Sequence, residues 1–170
     1  ETLFQLNDLL FVGSFNGMIV YDVSDAADPD YINRIEHMRS CDPVVADTNY
    51  AYVTLRGGTN CFTDVNELQI IDIQDPQNLS LVSRKDMFNP YGLGIYGDHL
   101  IICDGTAGIK IVDVSTPAEP HIVNSTPIQF AYDVIIDYPN ALIVGETGLY
   151  QYDISNLPDM QLVSQTPILD

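Results

Sequence analysis

Four segments of the chain repeat one phrase: Gly17-Met18-Ile19-Val20-Tyr21-Asp22-Val23-Ser24, Glu67-Leu68-Gln69-Ile70-Ile71-Asp72-Ile73-Gln74, Gly108-Ile109-Lys110-Ile111-Val112-Asp113-Val114-Ser115 and Gly148-Leu149-Tyr150-Gln151-Tyr152-Asp153-Ile154-Ser155. The aspartates return about every forty to fifty residues, and a period of that size built from short apolar strands is the mark of β-propeller blades, one four-stranded sheet per repeat. In the third repeat the strands, lettered A to D in chain order, fall at 91–97, 99–104, 109–114 and 121–125. Turn-forming residues separate them: Tyr96-Gly97-Asp98, Asp104-Gly105-Thr106-Ala107-Gly108, and Ser115-Thr116-Pro117-Ala118-Glu119-Pro120. The same plan divides a single domain, 1–170, into blades at 1–38, 39–87, 88–129 and 130–170. The expected fold is all-β, a propeller of four-stranded antiparallel blades. Helix should be scarce, because no stretch of helical length keeps an apolar period of 3.6 residues.

Hydrophobic residues make up 46% of the sequence, enough for a packed core, yet the longest apolar runs (Leu9–Val12, Leu100–Cys103) are only strand-length. Such runs cannot span a bilayer as helices. Six basic residues against 24 acidic ones give a net charge of −18. That field repels phosphate backbones and anionic membranes, so nucleic acid is not expected as a partner. Glu1 stands where an initiator Met would be and no signal-peptide pattern follows. The chain therefore reads as a processed product or a fragment, and its four blades as part of a larger ring.

The phrase Ile109-Lys110-Ile111-Val112-Asp113-Val114-Ser115-Thr116-Pro117, closed by Pro120, resembles the LVIVD repeat. That family comprises bacterial and archaeal surface or secreted propellers, often lipoproteins. The resemblance implies an extracytoplasmic location and an oxidising compartment, and it brings no catalytic residues. The aspartates Asp22, Asp72, Asp113 and Asp153 have a local reading: each precedes a C–D connection whose backbone N–H groups its carboxylate can cap.

In antiparallel blades the D–A connections and B–C loops emerge at one end of the sheet. His37, Asp42, Arg56, Asp86, Asn89, Tyr91, Asp104, Tyr132, Asp133 and Glu146 are expected there. The second repeat is longer than the others in its B–C loop, 56–66, which reads either as a ligand-contacting loop or as a tolerated insertion. Cys41 lies in the D–A connection of the same blade and Cys61 in that loop, so blade topology brings both to one end. With the oxidising compartment that the resemblance implies, a Cys41–Cys61 disulfide is expected, leaving Cys103 as a free buried thiol. No metal-ligand spacing for zinc is present. A calcium site from Asp42, Asp104, Asp133 and Glu146 is chemically conceivable, but no EF-hand-like series supports it, so no cofactor is expected.

Two readings of function follow. The first is a non-enzymatic surface module that binds a protein, glycan or other surface component on the D–A/B–C face, through Arg56, Asn89, Tyr91, Asp104, Tyr132 and Glu146. Its other partners would be the remaining blades of a larger ring or further copies of the chain. The rival is an enzyme, a hydrolase or lyase, with His37 as general base beside Asp42, Asp86 or Asp133 and a divalent cation.

Overall fold

The computed structural model describes residues 2–14, 16–36, 43–58 and 64–168. Among these the chain forms four four-stranded antiparallel sheets and no helix. The first sheet holds β1 (Thr2–Leu6), β2 (Leu9–Ser14), β3 (Gly17–Asp22) and β4 (Asp30–Glu36). The second holds β5 (Val44–Ala46), β6 (Tyr50–Leu55), β7 (Glu67–Asp72) and β8 (Ser80–Asp86). The third holds β9 (Leu93–Tyr96), β10 (His99–Cys103), β11 (Ile109–Asp113) and β12 (His121–Thr126). The fourth holds β13 (Ala131–Asp137), β14 (Asn140–Gly145), β15 (Gly148–Asn156) and β16 (Asp159–Thr166). Each sheet keeps chain order, the meander of a propeller blade.

The chain divides into two compact units, Glu1–Asp86 and Met87–Asp170, each of two sheets. Unit 1 packs Phe11, Met18 and Val20 of the first sheet with Val44, Val53 and Ile71 of the second. Unit 2 packs Ile101, Ile109 and Ile111 of the third with Ala141, Ile143 and Tyr152 of the fourth. In the second and third sheets the second strand is largely buried and the fourth largely exposed, so these sheets run from an apolar interior to a wetted rim.

The repeated phrase has a repeated geometry. Each aspartate side chain accepts a hydrogen bond from the N–H two residues on: Ser24 to Asp22, Gln74 to Asp72, Ser115 to Asp113 and Ser155 to Asp153, at 2.8–2.9 Å. The residue between, Val23, Ile73, Val114 or Ile154, donates its N–H to the A–B turn at Asp8, Asn49, Asp98 or Pro139. Aspartate and apolar neighbour together stitch the C–D connection to the A–B turn at one end of the sheet.

A second recurrence lies in the fourth strands. Register shifts between strands C and D at Val20/Tyr21, Ile70/Ile71, Ile111/Val112 and Gln151/Tyr152 leave Ile32, Val82, Val123 and Val163 as extra residues on strand D. Such bulges bend a strand and sharpen its twist. The next residue is Asn33 in the first sheet and Asn124 in the third. Asn33 Nδ2 donates to Gln77 O of the second sheet (2.8 Å), and Asn124 Nδ2 to Pro158 O (3.0 Å) and Asp159 Oδ1 (3.1 Å) of the fourth. Each clips a rim strand to the C–D connection of the following sheet.

Candidate functional site at the D–A and B–C end

In unit 2 the D–A/B–C end is organised around Asp104, which is 2% exposed. Its carboxylate accepts from Phe88 N (3.1 and 3.2 Å) and Asn89 N (2.8 Å), fixing the connection that leads into the third sheet. The B–C turn closes through Ala107 N to Asp104 O and Gly108 N to Gly105 O. Gly105, at φ +57°, then accepts Ala131 N from the fourth sheet at 3.0 Å. That positive φ favours glycine, and any Cβ there would sit 3.1–3.3 Å from Asn89 and Phe130.

Three rings converge where these segments meet. Tyr91 stands edge-on to Phe130 (centroids 5.2 Å apart, 76°) and to Tyr132 (5.9 Å, 89°), while Phe130 and Tyr132 stack at 4.6 Å. Their backbone is pinned: Tyr91 N donates to Cys103 O (2.7 Å), Gly92 N to Tyr132 O (2.9 Å), and Glu146 N to Phe130 O (3.1 Å). Cys103 N in turn donates to Gly92 O at 2.9 Å, so the segment ahead of β9 stays bonded to β10 while Gly92 N reaches the fourth sheet. Tyr132 remains 39% exposed and Phe88 65%. Asp133 is exposed and its Oδ1 caps Val134 N at 2.9 Å, against Gly92, where a Cβ would collide with the carboxylate. Glu146 is exposed on the fourth sheet's B–C turn.

Of the sequence-predicted face, Asn89, Tyr91, Asp104, Tyr132, Asp133 and Glu146 therefore gather at one end of unit 2. Asp104 is occupied by backbone N–H groups, which leaves Asp133 and Glu146 as the exposed carboxylates. Phe130 also belongs to the ring cluster and Phe88 lies exposed in the connection ahead of it, and sequence reasoning missed both; the signal was an aromatic in each of the two D–A connections 87–92 and 127–130. Arg56 and Asp86 belong to unit 1: Arg56 is half-buried after β6, and Asp86 ends β8 opposite Glu67, exposed. His37, Asp42, Cys41 and Cys61 lie outside the described residues. Cys103 is a free thiol with no exposure. Burial pushes its pKa well up, and the Asp133 and Asp104 carboxylates add to the shift. Among the described residues no group of three or more His, Cys, Asp or Glu is placed to hold a metal ion. No helix there is long and apolar enough to cross a membrane.

Charge divides by end. In unit 1 the A–B turns and C–D connections carry Asp8, Asp22, Asp25, Asp28, Asp30, Asp47, Asp72 and Asp75. In unit 2 they carry Asp98, Asp113, Glu119, Asp137, Asp153 and Asp159. The described lysines and arginines, Arg34, Arg56, Arg84, Lys85 and Lys110, all sit toward the D–A/B–C ends. The aromatic patch thus lies at the less acidic end of its unit.

The family described as LVIVD repeat matches residues 39–86 and 92–126, the second and third sheets. These two segments carry LVIVD repeats. No curated protein matches the sequence. Among solved structures, the periplasmic gluconolactonase PpgL of Pseudomonas aeruginosa is similar at TM-score 0.76 and 11% identity, over 99% of this chain and 57% of that one. The computationally designed Ika8 protein is similar at TM-score 0.70 and 13% identity, over 96% of this chain and 48% of that one. The N-terminal domain of Nup159 is similar at TM-score 0.65 and 12% identity, over 99% of this chain and 44% of that one. The chain spans about half the length of these proteins. At such identities the likeness is one of fold, and the fold is that of β-propeller proteins.

Proposed function

We propose that this LVIVD-repeat chain is a non-enzymatic binding module that takes a glycan or protein of a cell surface on the D–A/B–C end of unit 2. The observation that carries the reading is the pinned cluster of Tyr91, Phe130 and Tyr132, with exposed Phe88 in the preceding connection, beside the exposed carboxylates of Asp133 and Glu146. Pre-organised rings give a ligand flat apolar area at little entropic cost, and carboxylates orient its hydroxyl or cationic groups. Arrays of immobilised glycans and of surface proteins test it, probed with the wild type and with a Phe88→Ala/Tyr132→Ala variant of equal melting temperature. Ligands lost by the variant support the site; ligands retained by it sink the site.

An enzymatic rival draws on the fold likeness to a gluconolactonase, with Asp133 among its candidate groups. Turnover of an aldonolactone by the wild type, abolished by Asp133→Asn, would establish that rival. The binding reading needs no cofactor. It also places the protein outside the cytoplasm, where Cys41 and Cys61 would pair; three alkylatable thiols in protein from its native compartment would overturn that placement. In the fourth sheet Leu149, Leu162 and Val163 are 42%, 54% and 56% exposed, which supports further blades or a second copy as a partner. A dilute sample that sediments only as a monomer would count against the second copy.

A further inference from the structure

At the opposite end of unit 2, Tyr96 ends β9 and Tyr138 follows β13, so the two occupy the A–B turns of the third and fourth sheets. Their rings stack with centroids 4.4 Å apart and planes 9° from parallel. Both are open to solvent, Tyr96 at 40% and Tyr138 at 52%. Partial desolvation and a hydrogen bond to Tyr138 hold the Tyr96 phenol above its usual pKa. The near-parallel stack sets one phenol ring face to face with the other, close enough for a bond to form between them once both are oxidised.

The remaining tyrosine pairs lack this combination. Tyr91–Tyr132 and Tyr21–Tyr31 meet edge-on at 5.9 and 6.0 Å. Tyr150 and Tyr152 lie 6.4 Å apart and are buried, at 7% and 4% exposure.

We infer that Tyr96 and Tyr138 form an oxidative cross-linking site, joined as a dityrosine by a haem peroxidase and hydrogen peroxide. Each phenol gives up one electron and its hydroxyl proton, producing two phenoxyl radicals with spin density on the ortho carbons. The radicals combine through one carbon–carbon bond between an ortho carbon of each ring. The ortho hydrogens leave as protons and the hydroxyls are reprotonated, restoring both aromatic rings. In sum two phenols lose two electrons and two protons, and one peroxide takes them up to become two waters. The product ties the third sheet to the fourth at the end away from the aromatic patch, and it shortens the loops open to the unfolded chain. It is independent of the binding reading.

The test treats the dilute full chain with a haem peroxidase and hydrogen peroxide, followed by peptide mass spectrometry and dityrosine fluorescence. The expected result is a monomeric chain lighter by two hydrogens, with a linked peptide pair containing Tyr96 and Tyr138. Tyr96→Phe and Tyr138→Phe each keep a stacked ring without a phenol, so each should fold normally and lose the linked pair to background. The linked protein should also melt higher than the untreated one. No link in the wild type, a link that forms only between chains, or a linked pair that persists in either variant would overturn the site.

Discussion

Single residues do distinct jobs in the repeated phrase, and the aspartate is the clearest case. The Ser115 hydroxyl first, then its N–H, hold the Asp113 carboxyl below its ordinary value of 3.8; Ser24 and Ser155 do the same for Asp22 and Asp153. A carboxylate with a lowered folded pKa contributes stability that is full above its unfolded pKa and is lost as pH falls through the folded one. Ser115→Ala should therefore be less stable than the wild type at neutral pH, and urea melts should show the gap closing below pH 3.8. A gap that stays constant into strong acid would mean the hydroxyl acts through packing instead. Asp113→Ala removes the cap altogether and should cost about 1 kcal/mol, a low value because the turn is half open to water. Cys103 is the opposite case, a group silenced by burial. With Cys41 and Cys61 replaced by Ser, its alkylation by iodoacetamide at neutral pH should proceed only as fast as the protein opens, and should accelerate sharply in urea. Rapid labelling of the native protein would show that the strand it ends opens locally.

At the level of strands and turns, the rim clips can be tested directly. Asn124→Ala removes the bonds to Pro158 O and Asp159 and should destabilise the protein by about 1–2 kcal/mol. A double-mutant cycle with Asp159→Ala should then report a coupling of about 0.5 kcal/mol or more, and zero coupling would leave the Pro158 carbonyl as the main partner. The strands themselves were legible in the sequence because their alternation and turn residues are local signals. In the third repeat the strands expected at 91–97, 99–104, 109–114 and 121–125 lie at Leu93–Tyr96, His99–Cys103, Ile109–Asp113 and His121–Thr126, each within one or two residues at its ends. The bulges were not read, although each carries a trace: consecutive apolar residues ahead of Asn or Ser (Ile32-Asn33, Val82-Ser83, Val123-Asn124, Val163-Ser164) break the period of two. The clips were beyond reach, since a side chain that bonds a loop more than thirty residues away leaves no periodic mark. The same holds for the candidate site. Topology placed Tyr91, Tyr132, Asp133 and Glu146 at one end, but only three-dimensional packing shows that Phe130 joins the tyrosines and that Asp104 is spent on Phe88 and Asn89.

For the molecule as a whole, charge is the dominant property the fold distributes. The net charge is −18, and in each unit the A–B/C–D end carries only acids among its described charged lysine, arginine, aspartate and glutamate residues. Like charges gathered by folding repel one another more than they do along an extended chain, so the folded state carries an electrostatic strain that salt should relieve. The Debye length falls from about 30 Å at 0.01 M to about 8 Å at 0.15 M ionic strength, a change from reaching across such a sheet end to reaching only near neighbours. The melting temperature should accordingly rise over that range by about 2–4 °C, equivalent to about 1 kcal/mol for a chain of this size. Calcium chloride at matched ionic strength separates screening from binding. An equal rise identifies screening as the cause, whereas a rise well beyond that of sodium chloride, saturating at low calcium, would reveal a bound cation. A melting temperature that does not move with sodium chloride would mean that the carboxylates are already neutralised by their turn N–H groups, and that the acidic ends carry no net strain.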